Sequence, residues 1–150
     1  MTRMGGRKDT MALNRHDARE AVFLLLFETE FRADEQKEDI FAISTENREP
    51  RPDDYVRGVY FGVCEHIEEI DALINKHAKG WKTSRISRVS RSILRLAVYE
   101  MLYCREDIPV TVSINEAIEL GKKFDDEKVR AFLNGVLNSV KNDILGEEHA

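Results

Sequence analysis

Hydrophobic positions recur along this chain at helical spacing, and one stretch goes further by having almost no polar face. It is residues 89–104, VSRSILRLAVYEMLYC, in which Ile93, Leu94, Leu96, Ala97, Val98, Tyr99, Met101 and Leu102 occupy nearly every side. A helix apolar nearly all round is one that neighbours enclose on several sides. The stretch is too short to span a bilayer, and Arg88, Arg91, Arg95 and Glu100 interrupt it. It reads as a buried central helix, with the other apolar segments as the wall around it.

Taken in order, those segments predict helices throughout. Asn14 is an N-cap for a first helix over 15–31, with Ala18, Ala21, Val22, Leu25, Leu26 and Thr29 as its inward stripe. Phe23, Leu24 and Phe27 widen that stripe beyond one core face, and part of the excess is expected to meet a partner. A short helix over 35–43 is anchored by Ile40, Phe41 and Ile43; residues 44–52 (STENREPRP) form a loop exposed to proteolysis. Asp53 caps one long helix over 54–79, striped by Val56, Tyr60, Val63, Ile67, Ile70 and Ile74, with Gly58 and Gly62 marking a close crossing and Gly80 ending it. Residues 81–87 connect to the central helix. Pro109 then breaks the pattern, and Ser113 with Glu116 forms a capping box that opens a helix over 114–124. Asp125, Asp126 and Glu127 supply negative charge at the start of a last helix over 126–145. Val129, Phe132, Leu133, Val136, Leu137 and Val140 point inward there. The helical period runs through Asn134-Gly135, so Gly135 is expected to be a close-packing position rather than a turn, and Gly146 the stop.

At 150 residues the chain suits one domain, 14–146, between a flexible N-terminal tail, 1–13, and a C-terminal tail, 147–150. Strand-like alternation is nearly absent, so the fold class is all-α. Cys64 and Cys104 lie far apart in apolar contexts without a CxxC pair, as buried thiols do in a reducing cytoplasm. No apolar run of the signal-peptide kind opens the chain, and the expected location is cytoplasmic.

Catalytic chemistry finds little to stand on. His16, His66, His77 and His149 form no HExxH and no zinc-spaced cluster, and no GxGxxG or GxxxxGK[ST] loop is present. Neither a metal nor a cofactor is expected. Asp125-Asp126-Glu127 is better explained as a helix start than as a cation site, and Glu100 as a carboxyl paired with an arginine or capping backbone N–H groups. Charge is more informative. The net charge of −5 argues against indiscriminate nucleic-acid binding, yet no acidic residue falls between Asp71 and Glu100. That interval holds Lys76, Lys79, Lys82, Arg85, Arg88, Arg91 and Arg95 around Trp81, a mixture suited to phosphate contact and base stacking, or alternatively to balancing acidic helices elsewhere. A thinner basic group, Arg7, Lys8, Arg15, His16 and Arg19, opens the chain and is diluted by Asp9, Asp17 and Glu20.

Several motifs together resemble the NusB family of bacterial transcription antitermination factors. They are Trp81, Arg85-Ile86, the run Ile93 to Glu100 (ILRLAVYE), Ile108-Pro109-Val110, the run Ile114 to Leu120 (INEAIEL), Phe124, and the run Phe132 to Leu137 (FLNGVL). INEAIEL followed at family spacing by F-x-NGVL is highly specific, and Ala18-Arg19-Glu20 adds to it; the likeness covers residues 15 to about 140.

The resemblance implies an all-α fold of about seven helices in two subdomains and no catalysis. It implies binding of single-stranded boxA RNA in ribosomal RNA leader transcripts, jointly with ribosomal protein NusE, within the RNA polymerase antitermination complex; some members form homodimers. Carried over by position, it assigns RNA binding to Arg15, His16 and Arg19 at the start of the first helix and to Lys128, Arg130 and Phe132 near the start of the last. His16 and Asp17 stand where the family is basic. Phe27, Ser90 and Arg91 fall to the NusE side, Ser90 replacing a commonly acidic residue. Two other readings remain: the NusB-like module that fronts certain RNA cytosine methyltransferases, and a helical dimerisation protein without RNA.

Overall fold

The computed structural model describes residues 14–46, 53–78 and 85–149. Among them the secondary structure is seven helices: α1 Arg15–Glu30, α2 Lys37–Thr45, α3 Asp54–Glu65, α4 Ile67–His77, α5 Arg88–Tyr103, α6 Val110–Phe124 and α7 Val129–His149. The chain divides into two compact units, residues 1–61 and 62–150, and α3 runs through the division. The expected tail 1–13, most of the proteolytic loop, Lys79, Gly80, Trp81 and Lys82 lie outside the described residues.

In the first unit, α1 begins where expected, because Asn14 Oδ1 accepts a bond from the Asp17 amide at 2.7 Å. Its inward face buries Ala18, Val22, Phe23, Leu25 and Leu26, and α2 adds Ile40 and Phe41. Asp53 caps α3 through the Val56 amide at 3.0 Å, as the sequence indicates. Tyr60 from α3 is fully buried, with its ring 5.8 Å from that of Phe41 and its hydroxyl 2.6 Å from Thr29 Oγ1. That bond lets a large aromatic fill the core without stranding a polar atom.

The second unit is built around α5, which packs on α4, α6 and α7. Ile93, Leu94, Leu96, Ala97, Val98 and Met101 are all buried, so the central-helix reading is borne out within this unit. Burying each of these side chains other than Ala97 contributes roughly 1.5–3 kcal/mol before conformational entropy is charged against it. Ser87 caps α5 through the Ser90 amide at 3.1 Å.

Several details differ from the sequence reading. Ile43, expected to anchor α2 beside Ile40 and Phe41, is 55% exposed. The long helix over 54–79 is two helices: at His66 the backbone leaves the helical region (φ −108°, ψ 22°), and the ring packs 4.5 Å from that of Tyr103. The apolar stripe continues across this break, so periodicity conceals it. The capping box is not formed. Pro109, with φ −58°, sits at the N-cap of α6, and Ser113 is buried one turn inside the helix. Gly135 has open space where a side chain would project; the tightly packed glycines are Gly62, against Tyr99, and Gly121, against Leu133. Helix α7 starts at Val129, after a turn in which Asp126 Oδ1 accepts from the Lys128 amide at 3.2 Å, and it continues past Gly146. Finally, Cys64 and Cys104, outside any disulfide, are half-buried rather than enclosed.

Candidate functional site

The residues assigned to RNA fall into one group in each unit. In the first, Arg15 and His16 are exposed in the opening turn of α1, whereas Arg19 is only 3% exposed. Both arginines address one ring, that of Tyr55 in the first turn of α3. The Arg15 guanidinium carbon lies 4.4 Å from its centroid and that of Arg19 lies 5.9 Å away. These are cation–π distances. Arg19 is therefore a packed residue that joins α1 to α3, and Arg15 is the one that presents charge to solvent. Sequence reasoning missed Tyr55, since a single aromatic at the edge of an amphipathic helix carries no periodic signal.

In the second unit, Lys128 and Arg130 are both exposed, and Arg130 reaches Glu127 at 3.6 Å. Phe132 is half-exposed while its neighbours Leu133, Val136 and Leu137 are buried. The helix thus does not enclose this phenylalanine fully, as the inward stripe predicts it would.

The residues assigned to a protein partner separate in the same way. Phe27 is half-buried in a ladder of α1 aromatics, 6.1 Å from Phe23 and 5.1 Å from Phe31, the last of which is 57% exposed. Ser90 is buried, and its hydroxyl lies 3.4 Å from Asp125 Oδ2. Arg91 is half-buried and donates to the Ile86 carbonyl at 3.3 Å.

Two cations of the basic interval, Lys76 and Arg95, are committed to ion pairs. Arg95 grips Asp71 at two points, Nε to Oδ1 at 2.9 Å and a terminal nitrogen to Oδ2 at 2.8 Å. Lys76 and His77 both reach Asp143 Oδ2 on α7, at 3.0 and 2.8 Å, and these bonds, that of His77 foremost, hold the Asp143 carboxyl below its usual range. For these residues the balancing role weighed from composition is the correct one. Glu100 is fully buried, and its carboxyl accepts from Ser113 Oγ at 2.6 Å, a hydroxyl partner that the sequence reading does not name.

A third polar cluster escaped the sequence reading altogether. The Tyr103 hydroxyl donates to Glu69 Oε1 at 2.5 Å and lies 3.3 Å from His66 Nδ1. The Glu69 bond pushes the Tyr103 phenol up, and burial does the same to Tyr99 alongside. The cluster appears only once the chain breaks at His66. Among the described residues no group of three His, Cys, Asp or Glu side chains could hold a metal ion.

Fold and surface together define an all-helical protein with exposed cations at the starts of α1 and α7 and an aromatic beside each. The NusB family matches residues 16–142. Over 132 residues the chain is 45% identical to the transcription antitermination protein NusB of Bacillus pumilus (strain SAFR-032), covering 88% of this chain and 98% of that protein. The Bacillus subtilis (strain 168) protein of the same name gives the same identity and coverage. Among solved structures, T. maritima NusB superposes with a TM-score of 0.77 at 38% identity, covering 87% of this chain and 92% of that one. A crystal structure of the antitermination factors NusB and NusE in complex with double-stranded RNA matches with a TM-score of 0.73 at 32% identity, covering 84% and 94%. The chain belongs to the NusB family.

Proposed function

We propose that this chain is a transcription antitermination factor that binds boxA-type RNA of ribosomal RNA leader transcripts together with ribosomal protein NusE. It is an adaptor and performs no reaction. The observation that carries the reading is the match along almost the whole length of proteins named for antitermination, joined by the likeness to a NusB that was crystallised with NusE and RNA. The exposed cations Arg15, Lys128 and Arg130 and the half-exposed Phe132 support it. Cations supply salt-sensitive attraction to phosphates, and aromatics contact the bases of an unpaired strand. Phe27 and Arg91, both half-buried, are the candidates for the NusE contact; Ser90, 2% exposed, does not reach a partner and acts there only through its contact with Asp125. The reading places the protein in the cytoplasm beside RNA polymerase; among the described residues no helix is long and apolar enough to cross a membrane.

Fluorescence anisotropy tests this reading with labelled single-stranded boxA RNA, a scrambled strand and a boxA duplex, each with and without NusE. The expected result is weak binding of the boxA strand alone and tighter binding once NusE is present. Equal affinity for boxA and scrambled RNA in the presence of NusE would reject it.

A further inference from the structure

We propose that Arg15 is a stacking platform for one unpaired RNA base, held in position by Tyr55. The inference rests on the RNA-binding reading above and goes beyond it, since an arginine at a helix start is ordinarily taken as a phosphate contact. Three observations carry it.

The Arg15 guanidinium lies over the Tyr55 ring, 4.4 Å from the centroid, yet the residue is exposed. The guanidinium is within cation–π reach of the ring while the residue stays exposed, so a ligand can approach the group from solvent. Arg19, one turn along α1, lies 5.9 Å from the same ring and is 3% exposed, so it ties Tyr55 to the packed part of α1. Tyr55 is itself half-buried in the first turn of α3, a turn fixed by the Asp53 cap on the Val56 amide. The ring is therefore a rigid backing, and Arg15 is a long side chain already ordered against it. Exposed bases of single-stranded RNA stack on arginine planes as they do on aromatic rings. A base laid on the guanidinium from solvent would complete a three-layer stack of base, guanidinium and tyrosine. Lysine would keep the charge and lose the plane.

The experiment measures affinity for the boxA strand with NusE present, across a range of salt, for wild type, Arg15→Lys, Tyr55→Leu and Tyr55→Phe. The same proteins are then titrated with a series of strands, each lacking one base. Loss of a stacked base weakens binding by about tenfold. Arg15→Lys is expected to lose that factor with its salt slope unchanged. One abasic position should cost wild type the same factor and cost Arg15→Lys almost nothing further. Tyr55→Leu should behave as Arg15→Lys does, and Tyr55→Phe as wild type. If Arg15→Lys binds as tightly as wild type, or every abasic strand penalises both proteins alike, Arg15 contacts phosphate only and the proposal is overturned. Should Tyr55→Leu not fold, as a thermal melt would reveal, the abasic series with Arg15→Lys decides alone, because Arg15 is exposed. Wild type that does not distinguish boxA from scrambled RNA would overturn the antitermination reading itself, an outcome separate from those above.

Discussion

Ser113 donates its hydroxyl proton to Glu100 at 2.6 Å, across two helices and inside the core of the second unit, where the residues are 1% and 0% exposed. A buried carboxyl deprived of a hydrogen-bond donor cannot recover it from water. Ser113→Ala is therefore expected to lower stability by about 1–3 kcal/mol, read from urea unfolding. Adding Glu100→Met to that variant should cost less than the two single effects summed, because the second change removes the carboxyl whose donor the first took away.

The Arg95–Asp71 pair ties α5 to α4 with both partners largely shielded, at 17% and 24% side-chain exposure. Two parallel bonds require the flat fork of the guanidinium, which an ammonium lacks. Arg95→Lys is expected to lose about 1 kcal/mol and Arg95→Ala about 2 kcal/mol. Melting in high salt should reduce the gap between wild type and Arg95→Ala only slightly, in contrast to a fully exposed pair.

These two pairs mark the boundary of what the chain discloses before it folds. Helix α5 was legible because residues 93–102 are apolar in nearly every direction, and the Asn14 and Asp53 caps because a local pattern determines them. Ser113 with Glu116 satisfied the capping pattern and still did not cap. Pro109 fixes the backbone four residues earlier and starts the helix there, leaving Ser113 to face Glu100. The break at His66 was hidden because Val63, Ile67 and Ile70 keep helical spacing across it. Arg19 and Arg15 are indistinguishable by sequence, and the ring of Tyr55, 36 positions beyond Arg19, separates their roles. Long-range pairings of this kind leave no periodic trace.

Gly58 and Gly62 lie one turn apart on α3 and should respond oppositely to the same substitution. A methyl group at Gly58 meets nothing, whereas at Gly62 it falls on the hydroxyl and ring of Tyr99. Alanine is the better helix former by about 1 kcal/mol. Gly58→Ala is thus expected to raise the melting temperature, and Gly62→Ala to lower it because Tyr99 must leave its place. Combining Gly62→Ala with Tyr99→Leu should recover part of the loss.

The bonds of Asp143 with His77 and Lys76 make α7 sensitive to acid. Its carboxyl titrates below the ordinary value of 3.8 in the folded chain, with the His77 bond as the main cause. As pH falls below that ordinary value, the unfolded chain takes up a proton that the folded chain resists. The stabilisation is therefore complete above the ordinary value and is lost as pH drops through the depressed one. Unfolding of wild type and Asp143→Asn should differ at pH 6 and converge at the acid end of a series run downwards through the carboxyl range. A difference that instead grew in acid would contradict the pairing.

Burial separates the residues assigned to RNA, and salt dependence can read that separation. Lys128 and Arg130 are exposed, so replacing both with alanine should leave the melting temperature unchanged. Removing one cation from an RNA phosphate flattens the slope of log affinity against log salt by roughly 0.7–1 unit, so the pair should flatten it by roughly 1.5–2. Arg19 is buried and tied to Tyr55, and Arg19→Ala is expected to lower the melting temperature while weakening binding with little change of slope. The outcome turns on comparing two measurements on the same variants. An Arg19→Ala protein of wild-type stability whose slope flattened by a full unit would make Arg19 a direct phosphate ligand, and the packing role assigned to it would be wrong.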